Sequence, residues 1–80
     1  MRKFQTSEFL TKDLALSGAL IVHKQKLLRT RKEGNVCWFI FADKKNCEKL
    51  EERFHYGNLL VNARLYHLTL HQLKTIIFTR

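Results

Sequence analysis

The chain has 80 residues, 45% of them hydrophobic, with fifteen Lys or Arg against seven Asp or Glu for a net charge of +8. This length holds one domain that buries only about 60–65% of its unfolded surface, so its core is small, while the apolar content excludes disorder. No Pro and only three Gly leave no material for a linker, a low-complexity segment or an internal repeat.

The N-terminal stretch MRKFQTSEFLTKD starts basic, but acidic and polar residues interrupt any apolar region of a signal peptide. The longest uncharged apolar run, Leu14 to Val22, is far shorter than the roughly 20 residues that span a bilayer. No membrane partner is therefore expected, and the expected location is cytoplasmic.

The first predicted helix runs from about Lys12 to His23. Thr11 is its expected N-cap, since a hydroxyl there takes a free backbone N–H, and Asp13 in the first turn suits the helix dipole. Leu10, Leu14, Gly18 and Ile21 recur at helical spacing, with Leu16 and Leu20 widening the apolar face. Ser7 is a competing start.

Two strands come next. Lys26 to Lys32 alternates imperfectly, Glu33-Gly34-Asn35 supplies turn chemistry, and Val36 to Ala42 reads VCWFIFA, rich in the β-branched and aromatic residues that fit a pleated surface. Gly34-Asn35 tolerates the positive φ that a two-residue hairpin turn requires. Asp43 then caps a second helix with Cys47, Leu50 and Phe54 on its apolar side, and Gly57 is its expected stop. Its other side, Glu48, Lys49, Glu51, Glu52 and Arg53, reads as solvated. Asn62 caps a third helix reaching nearly to Thr79, on which Ala63, Tyr66, Leu70, Leu73 and Ile77 step by three and four. The order α-β-β-α-α predicts one α+β domain, with an antiparallel hairpin packed against helices.

FLTKDL (Phe9 to Leu14), the strand WFIF ahead of Asp43, GNLLVNAR (Gly57 to Arg64) and HQLKTII (His71 to Ile77) stand in the same order along nearly the whole chain. In these segments the sequence resembles a family of small bacterial, phage and mobile-element domains of unknown function. The resemblance implies the same fold and no known activity, so it carries no functional residues. The basic first strand, with Lys26, Arg29, Arg31 and Lys32, departs from the family pattern.

A tight turn sets Arg31 across from Trp38 and Arg29 from Ile40, while Leu28 meets Phe41 and Thr30 meets Phe39. Leu28, Phe39 and Phe41 then face the helices, and Arg29, Arg31, Trp38 and Ile40 share the outer face. A three-residue turn would swap the faces. A tryptophan flanked by arginines stacks on bases or grips phosphates. The same surface suits a homodimer or an acidic protein partner, or a covered Trp38 with arginines reaching past it to water. On the third helix, Arg64, His67, His71 and Lys74 form one stripe that fits a nucleic-acid backbone or groove, or an ordinary solvated flank.

His67 and His71 have the spacing of a metal clasp, but no third ligand completes it and Arg64 and Lys74 repel a cation, so no metal is expected. Cys37 and Cys47 sit where apolar residues are wanted and read as buried thiols rather than nucleophiles. Without a phosphate-cradling glycine loop or a carboxylate pair in a pocket, neither catalysis nor a cofactor is expected. The expected function is non-catalytic contact with DNA or RNA through Lys24, Lys26, Arg29, Arg31, Lys32, Trp38, Arg64, His67, His71 and Lys74. The alternative is a protein-interaction module.

Overall fold

The computed structural model describes residues 7–78. Its elements in chain order are β1 (Phe9–Thr11), α1 (Leu14–Val22), β2 (Leu27–Glu33), β3 (Val36–Phe41), α2 (Lys44–His55) and α3 (Ala63–Phe78). The strands form one antiparallel sheet in the order β1-β3-β2. The α+β class and the hairpin hold as expected from the sequence, and β1 is an addition to them.

β1 changes the start of the first helix. Thr11 is not the N-cap: it pairs with Phe39 as the last residue of β1, and its Oγ1 accepts the Asp13 backbone N–H at 3.1 Å. Asp13 caps α1 instead, accepting from the Leu16 N–H at 3.1 Å. Leu10, counted by its spacing with the helix, lies in the strand opposite Ile40 and is exposed.

One face of the sheet carries the core. Phe9, Phe39 and Phe41 meet Leu16 and Leu20 of α1, Cys47 and Leu50 of α2, and Leu73 of α3. All three helices therefore cover one side of the sheet. α3 runs antiparallel along α1, where Tyr66 Oη donates to the Ala15 carbonyl at 3.0 Å and His23 Nε2 lies 2.7 Å from the Leu60 carbonyl. Gly18 makes this contact close: a Cβ there would stand 2.7 Å from Leu70 Cδ2 and 3.1 Å from Tyr66 Cε1.

The other boundaries obey local chemistry. Asp43 Oδ1 accepts from the Asn46 N–H and Asn62 Oδ1 from the Leu65 N–H, capping α2 and α3 as their positions predict. Gly57, at φ 77°, follows the C-cap of α2, and the Gly57 and Asn58 N–H groups close onto the Phe54 and Arg53 carbonyls. Gly34, at φ 61°, turns the hairpin between the paired residues Glu33 and Val36.

The register from the turn to Arg29 is the expected one: Thr30 pairs with Phe39, Arg31 with Trp38 and Arg29 with Ile40. Past Arg29 a bulge intervenes and Leu27, not Leu28, pairs with Phe41. An extra residue in one strand moves the remaining side chains of that strand to the opposite face. The inward anchor of β2 is thus Leu27, which packs against the core, and Leu28 is exposed.

Candidate nucleic-acid interface

The ten residues singled out by the sequence fall into three groups. The first lies on the sheet face turned away from the core. Strand alternation places Arg29, Arg31 and Glu33 of β2 there beside Val36, Trp38 and Ile40 of β3 and Leu10 of β1. This face is neither bare nor strongly cationic. Arg29 forms a two-pronged ion pair with Glu8, at 2.9 and 3.2 Å. Because β3 separates β2 from the segment containing Glu8, that pair reaches across the central strand. Arg31 Nε lies 3.2 Å from Glu33 Oε2. Trp38 is half-buried. Ile40, expected beside it on the outside, is only 1% exposed, so no open arginine–tryptophan–isoleucine surface exists.

The second group lies at the two ends of the β2 strand. Lys32 pairs with Cys37 on the helix side of the sheet and its Nζ donates to the Ile77 carbonyl at 3.1 Å. A cation at a helix C-terminus meets the negative end of its dipole, so Lys32 ties the hairpin to the end of α3. Lys24 and Lys26 stand at the other end, exposed and with no carboxylate partner among the described residues. Lys24 follows the C-cap of α1 in a left-handed conformation, with φ at 69°. The contact of His23 with Leu60 brings this turn to the end of α3 that carries Arg64.

The third group is the stripe on α3. Arg64, His67, His71 and Lys74 are all exposed, and the 100° step of the helix brings them within about 80° of one another. α3 itself contains no acid, and no Asp or Glu follows Glu52 anywhere in the sequence. None of the four has an ion-pair partner among the described residues. The acids gather elsewhere: a depression of about 510 Å³ between β1 and α2 is lined by Glu8, Glu48 and Glu51 with one lysine, Lys44.

Neither cysteine lies fully open to solvent. Cys47 is fully buried, its Sγ lies 3.4 Å from the Ala42 carbonyl, and burial, with Asp43 and Glu48 adding to it, pushes the thiol up to about 11. Cys37 is partly buried. Burial raises the Tyr66 phenol, and Asp13 adds to the effect. Among the described residues no group of three His, Cys, Asp or Glu is placed to hold a metal, and no helix is long and apolar enough to cross a membrane.

Leu65, Leu68 and Ile76 have no place among the residues expected from the sequence to matter. They are 48%, 51% and 46% exposed on α3, away from its core-facing row. Their spacing of three and eight residues is visible in the sequence, but the stronger row from Tyr66 to Ile77 accounts for the helix without them. Comparison with protein-family models, curated proteins and solved structures finds no match.

Proposed function

We propose that this chain is a small non-catalytic binding module that contacts DNA or RNA phosphates along α3. The observation that carries this reading is the exposed stripe of Arg64, His67, His71 and Lys74 on a helix without a single acid. Such a stripe concentrates positive potential along one line, where a phosphate backbone can lie. Lys24 and Lys26, without carboxylate partners among the described residues at the Arg64 end, extend it. Arg29, Arg31 and Lys32 contribute less, because Glu8, Glu33 and the Ile77 carbonyl already hold them. Trp38, half-buried, is not a leading stacking residue.

Phosphate contacts release counterions, so affinity for duplex DNA falls with salt at a slope of about −0.9 per contact. Four cationic contacts, from Arg64, Lys74, Lys24 and Lys26, predict a loss of about a hundredfold between about 50 and 200 mM salt. Titration of a labelled DNA duplex and a labelled single-stranded RNA at the two concentrations tests this. Absence of binding at the lower salt, or affinity indifferent to salt, overturns the proposal.

A further inference from the structure

α3 is apolar along two lines. Tyr66, Leu70, Leu73 and Ile77 face α1 and the core, whereas Leu65, Leu68 and Ile76, with Gln72 in the same row, face solvent. At 100° per residue the second row is centred about 120° from the first. From Leu65 to Ile76 it runs three turns, roughly 16 Å, the length over which a docked helix sets anchors at i, i+3 or i+4 and i+7. Leu60, also exposed, stands just ahead of it.

We propose that this row seats an acidic amphipathic helix of a partner protein. Phosphates gain nothing from leucine and isoleucine side chains, so the row asks for an apolar occupant. Charge selects which one. The row is bordered by Arg64 and His71, and the helix has no carboxylate of its own. A second copy of α3 would bring only a further Arg64 to the border of the same seam and no carboxylate to meet it, and like charges brought together across an interface disfavour it. A helix with apolar anchors and glutamates beside them satisfies both the row and its border. This inference goes beyond nucleic-acid contact and does not depend on it, because the Leu65–Ile76 row and the Arg64–Lys74 stripe are different faces of α3.

The probe is a designed helical peptide with a leucine stripe edged by glutamates, compared with a twin in which lysines replace the glutamates. Binding of both to the full chain is measured by fluorescence anisotropy, with a DNA duplex titrated in parallel. The glutamate peptide is expected to bind at least tenfold more tightly than its twin. The double variant Leu65→Ser, Leu68→Ser should lose that peptide at least tenfold and leave duplex binding unchanged. Ile76→Ser, at the other end of the row, should lose it severalfold, which keeps the test intact if the double variant fails to fold. Failure of the glutamate peptide to bind, equal binding of the twins, binding unchanged in both variants, or sedimentation of the free chain as a dimer lost in Leu68→Ser each overturns the proposal. Loss of duplex binding alone would bear on the phosphate-contact reading and not on this one.

Discussion

At φ 69°, Lys24 occupies the position after the C-cap of α1, and the N–H groups of Lys24 and Gln25 close onto the Ile21 and Leu20 carbonyls at 2.9 Å each. Glycine normally fills this position, because a side chain in the left-handed region costs roughly 1–2 kcal/mol. Lys24→Gly should therefore stabilise the fold, although glycine's greater freedom in the unfolded chain takes back about 0.4–1 kcal/mol. The expected net gain is about 0.5–1 kcal/mol, a rise of a few degrees in Tm measured by circular dichroism. If Lys24 contacts phosphate, the more stable variant will bind nucleic acid more weakly, separating the two roles. Cys47 gives a second test. Its folded thiol stands near 11 against 9.0 for an ordinary cysteine, so the native state holds the proton more tightly than the unfolded state does. That contribution to stability is complete below pH 9 and is lost as the pH rises toward 11. Denaturant midpoints should fall across that window and stay higher in Cys47→Ala than the wild-type trend extrapolates. Iodoacetamide should reach Cys47 only at the rate of unfolding. The caps at Asp43, Asn62 and Gly57 were legible in the sequence because each acts within four residues of itself. The partner of Arg29 was not, since Glu8 lies 21 positions away and only the sheet brings them together.

Among the elements, the bulge in β2 divides two adjacent leucines that sequence alone treats as interchangeable. Leu27 packs against the core and pairs with Phe41, whereas Leu28 is the extra residue and is exposed. Leu27→Ala should cost about 1–2 kcal/mol, below the range for fully buried leucines because Leu27 is only partly buried. Leu28→Ala should stay within about 0.5 kcal/mol of wild type. Urea denaturation of the two variants checks this, and equal losses would contradict the bulge. The same element explains why the strand looked imperfectly alternating: one inserted residue moves Leu27 to the face that Leu28 would otherwise occupy. β1 is not legible in the sequence for a different reason. Three residues, Phe9, Leu10 and Thr11, are too few to show a period of two, and they form a strand only because β3 offers them an edge. α3 was the most legible element, since sixteen residues give the helical period room to repeat. Its second apolar row was hidden because one buried face suffices to explain a helix.

Over the whole molecule, charge is segregated rather than merely abundant. Of the seven acids, Glu48, Glu51 and Glu52 lie on α2 with Asp43 at its cap, and Glu8 and Glu33 are engaged with Arg29 and Arg31. The net charge of +8 is therefore borne largely by cations without local partners among the described residues, and composition could show the excess but not its placement. This arrangement separates two sets of arginine and lysine that contribute equally to net charge. An exposed cation more than a Debye length of about 10 Å from a bound phosphate is largely screened at about 0.1 M salt, so the salt slope reports contacts and not total charge. Arg64→Ala with Lys74→Ala should reduce the slope for duplex binding by about 1.8, the value for two lost phosphate contacts. Each contact removed also lessens the drop in affinity between about 50 and 200 mM salt by a factor of about 3.5. Arg29→Ala with Arg31→Ala removes the same charge but breaks pairs with Glu8 and Glu33 instead, so the slope should change by well under one. Measuring log K against log salt for both double variants decides the matter. Equal changes in slope would mean that the hairpin arginines leave their carboxylates to meet phosphate as well, and that the nucleic acid does not lie on α3 alone.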